Sequence, residues 1–549
     1  MVLRIRVICI LLFLFYFSSY AQDISQLGKG KALSYSGNIS VQQSWNHIEG
    51  IPSRRPPYFW MLQGSLNLSL YGWSVPISGM YANEQFSYQQ PFQQYGLSPQ
   101  YKWLTFHIGY RSLSFSPYTL SGTTFLGGGI ELKPGAWNIA LLYGRFRKAE
   151  QGVDSLFTPM YERWGGGYKC ARVGKRTTLE HTLFTAFDDT ASLVRKDSTK
   201  PQSALNLSLK WIQKFGKYWS TEMEVARVYW VHDARVKQEP GTTSKIIQKL
   251  LQTEAPSEIH HAYKTGIYYK RKSYGLGLQW ERIDPGYQTL GSYFFQQDIE
   301  KWSVAPFLKL DKWKASFQGN IGIQRTNLAK EQGTATQRSY LQLSFQWKWS
   351  KRGQGSVSFS NATTYTRTMY RIRTLQQWDS LRYYQINTSW QAQVQYQLGT
   401  TESMQSWQNT FNYQEVQQVS PTKTITPFYS ATSGYRKTWK EKKITFYGGV
   451  QFSASPYFGA YSKAIGPSIS LQWQGEKLPI TIQCSASYSD VYYKGKSQGY
   501  GQNTSLQLGY TFVKKHRLQS MIQQTIKSST KQSPGFIEWT AQLQYAYSF

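Results

Sequence analysis

Apolar and polar side chains alternate with a period of two along most of the chain. In the first such segment, Leu33, Tyr35, Ile39, Val41 and Trp45 share one face, and Ser, Asn and Gln fill the positions between them. The same alternation recurs over residues 205–211, 341–349 and 386–398. Because successive side chains of a β-strand point to opposite faces, the pattern predicts many strands that each have one apolar and one polar face.

The length of these segments distinguishes a membrane barrel from a soluble sandwich, whose strands also alternate. They run to about 10–14 residues, enough to cross a bilayer at a tilt, whereas globular strands average about five or six. The apolar faces end in Trp or Tyr, which are favoured at membrane interfaces. Backbone groups in lipid must all be paired. We therefore predict an all-β fold, a single large antiparallel transmembrane β-barrel over residues 32–549, in a Gram-negative outer membrane.

Short polar turns give the strand count. Eleven of them occur, most about 40 residues apart, which suits two spanning strands and one longer loop per unit. They centre on residues 72, 134, 175, 216, 271, 311, 352, 400, 441, 476 and 515. This spacing predicts about 24 strands. The interval from Gly72 to Pro134 is long enough to hide another hairpin, so 26 strands is the alternative.

The first residues have the pattern of an export signal. Arg4 and Arg6 precede the apolar run 7–17, and Ser19-Tyr20-Ala21 offers small residues at the cleavage positions. We expect a signal peptide at residues 1–21 and a short periplasmic segment at 22–31. That segment is too short for the plug domain of a TonB-dependent receptor, so energised uptake is not expected.

The last strand carries an apolar face that runs from Trp539 to the final residue. Tyr545, Tyr547 and Phe549 end this face. The arrangement resembles the C-terminal signal that the outer-membrane assembly machinery reads. We expect these three residues to serve as that signal.

Charge narrows the possible partners. The chain has a net charge of +32, and its basic residues are spread over turns, loops and polar faces instead of one stripe. Nucleic-acid binding is therefore not expected. The short-turn rim is rich in Lys and Arg, which could attract lipid phosphates or acidic proteins, or could simply be solvated. A positive lumen would favour anionic solutes.

Six residues are candidates for the lining of the lumen or for a loop that constricts it. His107 and Arg111 lie on a polar strand face. Lys245 and Lys249 belong to a segment with helical spacing inside the long loop between Trp230 and Ala262, which could enter the lumen but more readily forms a surface lid.

Arg371 and Arg373 complete this set. They belong to the interval 363–383, which we expect to be a second long loop.

Catalytic and metal-binding patterns are weak. The seven His residues show no metal-type spacing, and His260 and His261 should point to opposite faces of a strand. The pairs Asp188-Asp189 and His232-Asp233 superficially resemble those of omptin proteases, which are much smaller barrels. We expect no enzymatic activity, metal or cofactor.

Four segments carry a resemblance to a known family. They are residues 98–103, 116–122, 283–287 and 322–328. Through these segments the sequence resembles a family of uncharacterised outer-membrane β-barrel proteins of the Bacteroidota, and the resemblance extends over most of the mature chain. The resemblance implies the same fold and location, and it carries no activity or site residues.

Two functions follow as hypotheses. The first is a passive or loop-gated pore for small solutes, in which the net positive charge would favour anions. The second is a non-conducting scaffold or secretion-associated barrel that docks periplasmic or surface proteins. We favour the pore narrowly.

Overall fold

The computed structural model describes most of the mature chain. The described residues are 33–83, 94–151, 159–194, 199–236, 244–331, 333–372, 377–399, 403–419, 423–457, 459–476, 478–513, 515–530 and 534–549. The predicted signal peptide (1–21) and periplasmic segment (22–31) lie outside them.

The described residues form strands almost throughout, with one helix. The first strands are β1 (Leu33–Glu49), β2 (Tyr58–Leu70), β3 (Trp73–Ala82), β4 (Gln94–Leu97), β5 (Gln100–Tyr101), β6 (Leu104–Ser112), β7 (Thr124–Leu132), β8 (Trp137–Arg147) and β9 (Arg163–Val173). Next come β10 (Thr177–Asp188), β11 (Ser203–Phe215), β12 (Trp219–Val231), helix α1 (Lys245–Leu251), β13 (Glu258–Lys270), β14 (Tyr274–Ile283), β15 (Ile299–Leu310), β16 (Ala315–Thr326), β17 (Thr334–Trp347) and β18 (Gly353–Ile372). The last are β19 (Gln377–Gly399), β20 (Ser403–Val419), β21 (Lys423–Trp439), β22 (Ile444–Tyr457), β23 (Ala460–Gln474), β24 (Ile480–Tyr493), β25 (Lys496–Phe512), β26 (His516–Lys527) and β27 (Phe536–Ser548).

These strands close into one antiparallel ring. Apart from β4 and β5, each strand pairs with its neighbours in sequence, and β1 pairs with β27. The short pieces β4 and β5 both pair with β3 and β6, so they form one barrel strand that Ser98 and Pro99 interrupt. Proline has no N–H to donate to a ladder, which accounts for the break. The ring therefore has 26 strands.

The strand count corrects the preferred prediction of 24 and confirms the alternative of 26. The hidden hairpin lies where the long interval indicated, because β5 and β6 are joined at Lys102 and Trp103. Each of the eleven predicted turns falls between two paired strands. The turn at Lys102 and Trp103, which contains no glycine and only one lysine, is absent from the predicted set, as is the two-residue turn at Lys494 and Gly495.

The shortest connections follow ordinary hairpin geometry. Tyr71 and Gly72 join β2 to β3 with φ angles of 45° and 84°, and Lys494 and Gly495 join β24 to β25 with 50° and 77°. Positive φ at both central residues matches the right-handed twist of the flanking strands, and glycine adopts it without steric cost.

The chain ends meet at the seam that closes the ring. Phe549 exchanges both backbone hydrogen bonds with Gly37 at 3.1 Å. A Cβ at Gly37 would lie 2.6 Å from the Phe549 ring, so only glycine leaves room for it. Tyr545 and Tyr547 lie on the outward face of β27, opposite Val41 and Ile39. The role of these three residues in assembly remains a prediction.

The apolar faces point outward. Ile39, Trp390 and Leu471 are 45%, 46% and 50% exposed, although each lies within a paired strand of the closed ring. A soluble sandwich would bury these side chains between its sheets. The predicted transmembrane β-barrel is thus confirmed, with an apolar outer belt of the kind that lipid covers in outer-membrane barrels.

The two rims of the barrel differ. The described chain begins and ends at the rim with the short turns, called here the short-turn end, and the longer connections lie at the opposite loop end. Residues 363–372 and 377–383 do not form the predicted loop, and residues 373–376 of that interval lie outside the described part of the chain. The described residues continue the β18–β19 hairpin, whose ladder pairs Thr363 with Ile386 and Ile372 with Gln377. A run of β-branched and aromatic residues at 363–366 favours strand.

Candidate functional site: a lumen narrowed by two loops

His107 and Arg111 lie on the inward face of β6. Their neighbour Ile108 points outward and is 54% exposed. The Nε2 atom of His107 lies 3.3 Å from a carboxylate oxygen of Glu131 on β7, and the Arg111 guanidinium donates a hydrogen bond of 2.9 Å to the Ser78 hydroxyl. Both residues therefore face the interior, and their part in transport remains a prediction.

Helix α1 packs on the outside of the barrel. Leu251 contacts Leu205, which shares the outward face of β11, and the Ser203 hydroxyl of the same face donates to the Leu251 carbonyl at 2.6 Å. Lys245 and Lys249 thus lie outside the lumen and do not form a constriction. The helix is amphipathic, and its apolar residues Ile247, Leu250 and Leu251 pack with Leu205 and Val231 on the outer surface of this rim.

Arg371 lies far along the β18–β19 hairpin. Arg371 follows the first residue of β18 by 18 positions, which is about 45 Å along the membrane normal at ordinary rise and tilt. That distance exceeds the hydrocarbon core of roughly 30 Å. Arg371 is therefore placed beyond the spanning part of the wall. Arg373 lies outside the described residues.

Two connections from the loop end fold into the barrel instead. Loop A comprises residues 113–123 between β6 and β7, and loop B comprises residues 284–298 between β14 and β15. Tyr118, Leu120 and Tyr287 of these loops are 1%, 0% and 0% exposed. They pack against inward side chains of β7 to β15, namely Phe125, Ala140, Leu142, Phe146, Phe184, Ala186, Ala204, Ala226, Val228, Trp230, Ala262, Ile283 and Ile299.

The two loops also bind each other. The Ser121 N–H donates to the Gly291 carbonyl at 2.9 Å, and the Thr123 hydroxyl donates to the same oxygen at 2.6 Å. The Tyr287 hydroxyl donates to the Tyr118 carbonyl at 2.8 Å. From the wall, the Asn206 amide donates to Tyr118 and to loop B. Buried backbone groups of both loops are thereby paired, which is what a buried non-regular segment requires.

Small residues on the inward faces make room for this packing. A Cβ at Gly144 would lie 2.9 Å from the Phe125 ring, and one at Gly165 would lie 3.0 Å from Phe146. Within loop B, a Cβ at Gly291 would come within 2.4 Å of the Thr119 carbonyl oxygen. Larger side chains at Gly144 and Gly165 would displace the wall residues Phe125 and Phe146, and one at Gly291 would separate the two loops.

Two carboxylates of the wall, buried Glu224 and partly buried Glu281, anchor the deep part of loop A. Glu224 is 1% exposed and accepts hydrogen bonds from the hydroxyls of Ser116 and, at 2.8 Å, Ser208. Glu281 accepts a hydrogen bond of 2.6 Å from the Tyr118 hydroxyl. Burial, followed by the nearby Glu281 charge, raises the pKa of Tyr118 well above its usual range. The tyrosine therefore remains a donor, and hydrogen bonds to charged acceptors are among the stronger ones.

Ion pairs line the same side of the lumen. Lys169 pairs with Glu180 at 2.9 Å, and Glu222 pairs with Lys210 at 2.9 Å and with Lys264 at 3.4 Å. The side chains are 14–25% exposed. Positive charge on this wall is thus balanced by carboxylates.

The opposite wall is polar and open to solvent. It consists of β16 to β27 and β1 to β3, whose inward positions are mainly Gln, Ser, Thr and Asn. Inward glutamines that are exposed on this wall include Gln342, Gln354, Gln391, Gln408, Gln472 and Gln507. Inside a closed ring, exposed side chains face a water-filled space. The lumen is therefore asymmetric, with one wall covered by loops A and B and the other bare.

Among the described residues, no group of three or more His, Cys, Asp or Glu side chains could hold a metal ion. Within the same part of the chain, no helix is long and apolar enough to span a membrane, a finding that does not concern β-barrels.

Sequence reasoning missed loops A and B, although two signals were present. The inward faces of β10 and β12 become apolar toward the loop end, where Phe184 and Ala186 lie on one strand and Val228 and Trp230 on the other. A strand segment that is apolar on both faces indicates contacts on both sides. In addition, the segments 116–122 and 283–287, which carried the family resemblance, meet inside the barrel.

Comparison with known proteins gives only distant structural similarity. No protein-family model and no curated protein matches the chain. Solved structures that match include OccAB4 of Acinetobacter baumannii, with 10% identity, a TM-score of 0.27, and coverage of 75% of this chain and 98% of that one.

Two further matches are the translocation pore of the P pilus usher PapC and OpdK of Pseudomonas aeruginosa in complex with vanillate. The first has 9% identity and a TM-score of 0.27 over 94% of this chain and 99% of that one. The second has 9% identity and a TM-score of 0.26 over 64% and 94%. At such values, activity has to be inferred from the residues of this chain.

Proposed function

We propose that this chain is a channel of the outer membrane, narrowed by loops A and B, that passes small hydrophilic solutes along its glutamine-rich wall. The observation that carries the proposal is the exposure of inward polar side chains inside a closed ring. A barrel of this strand number encloses a wide lumen. Loops A and B cover the β7–β15 side of it, and among the described residues the other side offers a path lined by exposed polar side chains.

Anion preference is part of the proposal, and the short-turn end supports it. Lys314, Lys348, Lys515 and Arg517 line inward clefts at this end. None of the four forms an ion pair with a described residue, whereas the lysines deeper on the β9–β13 wall are paired. Unbalanced positive charge at a mouth raises the local concentration of anions.

Current through purified protein in planar bilayers tests this function. We expect stepwise conductance in KCl and, in a salt gradient, a reversal potential that favours chloride. Lys314→Gln combined with Lys348→Gln should move that potential toward zero. Lys245→Gln combined with Lys249→Gln removes the same charge outside the lumen and should leave it unchanged. A folded barrel that carries no current would contradict the proposal.

A second function is favoured by the basic short-turn rim. Lys175, Arg176, Lys217 and Lys272 are exposed there, and none of them forms an ion pair with a described residue. Such a rim suits a scaffold that docks acidic periplasmic proteins. Stoichiometric partners that co-purify at low salt and leave at high salt, together with an absence of conductance, would favour the scaffold over the channel.

A further inference from the structure

Glutamines form two rows on the inner wall of β23 to β27 and β1. The ladder places Gln472 beside Gln483, and Gln483 beside Gln507. One step nearer the short-turn end, Gln519 stands beside Gln544, and Gln544 beside Gln42. The two rows border one cleft of about 750 Å³.

Two basic side chains lie at the end of this cleft that is nearer the short-turn end. Arg517 and Lys515 belong to its lining, and no Asp or Glu does. Arg517 lies on the same face of β26 as Gln519, one inward position closer to the short-turn end. Neither cation forms an ion pair with a described residue. Their charge is therefore available to a ligand.

The amides are available as well. The structure gives Gln42, Gln483, Gln519 and Gln544 no side-chain hydrogen bond within the described residues, and Gln507 has only a 3.5 Å contact with the sulfur of a neighbouring methionine. Each primary amide offers two donors and one acceptor oxygen. A surface of such groups can bind a molecule whose own groups both donate and accept hydrogen bonds, as hydroxyl groups do.

A second cleft repeats this combination across the barrel. It has a volume of about 350 Å³ and combines Lys314 and Lys348 with the inward glutamines Gln346, Gln354 and Gln393. It too has no acidic residue in its lining. The pairing of amides with unbalanced cations therefore occurs twice on the bare wall of the lumen.

We propose that the cleft between β23 and β1 is a binding site for polyhydroxylated anions, such as sugar acids or sugar phosphates, in transit through the channel. Arg517 and Lys515 bind the carboxylate or phosphate, and the glutamine rows bind the hydroxyl groups. Successive amides offer a hydroxylated solute several weak binding positions in a row, and weak binding at several sites permits passage instead of trapping. This inference rests on the proposed channel function and names the class of its substrate.

Block of KCl current by added solutes tests the site. We expect gluconate and glucose 6-phosphate to reduce the current at concentrations about tenfold lower than either glucose, which lacks the charge, or propionate, which lacks the hydroxyl groups. Arg517→Gln should remove most of that preference, since hydrogen bonds to charged groups contribute roughly a factor of ten. Gln483→Leu combined with Gln507→Leu should weaken block by gluconate and leave block by propionate unchanged.

Arg172→Gln is the matched control, because Arg172 lies on the outward face of β9 beside Trp137 and loses the same charge outside the lumen. If current flows but all four solutes block it equally, the site is refuted and the channel stands. If no current flows, the channel is refuted, and calorimetric titration of the detergent-solubilised protein with gluconate and glucose decides the site. If gluconate and glucose give equal heats of binding, or if neither gives any, the proposed site is refuted.

Discussion

Release of loop A from the wall should widen the lumen, and Tyr118→Ala is the substitution that tests this most sharply. The Tyr118 side chain is 1% exposed, packs edge-on against Tyr287 and donates to Glu281. Truncation of a buried aromatic residue costs about 3–5 kcal/mol. Because every 1.4 kcal/mol is a factor of ten in an equilibrium constant, the docked state of loop A should lose roughly two to three orders of magnitude.

Conductance and the size limit for neutral polymers measure this effect. We expect Tyr118→Ala to raise the mean single-channel conductance, increase current noise and admit larger polyethylene glycols. Tyr118→Phe keeps the ring and removes only the hydroxyl group, which should cost about 1.5–3 kcal/mol and give an intermediate result. The barrel itself should remain folded, since its ladder does not involve loop A.

Tyr95→Ala controls for the loss of a tyrosine. Tyr95 lies on the outward face and is 64% exposed, so its truncation should leave conductance and size limit as in the wild type. If Tyr118→Ala folds normally and yet conducts like the wild type with an unchanged size limit, loop A does not narrow the path.

Three other outcomes are expected. Glu222→Gln leaves Lys210 and Lys264 unpaired inside the lumen and should shift the reversal potential further toward chloride. Removal of α1 by deletion of residues 244–252 should lower the temperature of unfolding and leave conductance unchanged, because the helix packs outside the barrel. Phe549→Ala should lower the yield of folded barrel, because Phe549 fills the space that Gly37 leaves at the closing seam. The amount of heat-modifiable, folded protein in the membrane fraction measures this yield.

The alternation of side chains was sufficient to predict the barrel. In β23, for example, Ile469, Leu471 and Trp473 point outward and Ser470, Gln472 and Gln474 point inward. A two-residue period assigns each side chain to a face, and only the lipid environment distinguishes which face is outside. The short polar turns likewise predicted the hairpins at the short-turn end, except the one at Lys102 and Trp103.

The interior could not be predicted in the same way. Alternation assigns faces strand by strand, but it does not reveal which distant segments meet across a lumen. Leu120 and Gly291 are neighbours through a parallel bridge, although 171 positions separate them in the sequence. The helix at residues 245–251 was predicted correctly from its own spacing. The surface on which it packs was not predictable, because that surface forms only at the rim of the folded barrel.

The most direct test of the account compares two adjacent positions of one strand. Leu471→Cys and Gln472→Cys, each in a background with Cys170 and Cys484 replaced by Ala, would be spin-labelled in lipid vesicles. The account predicts that the label at 471 is relaxed by oxygen dissolved in the bilayer, and that the label at 472 is relaxed by a water-soluble nickel complex. The reverse result, or protection of both labels from lipid and water, would contradict a closed barrel with an apolar outer face and a hydrated lumen.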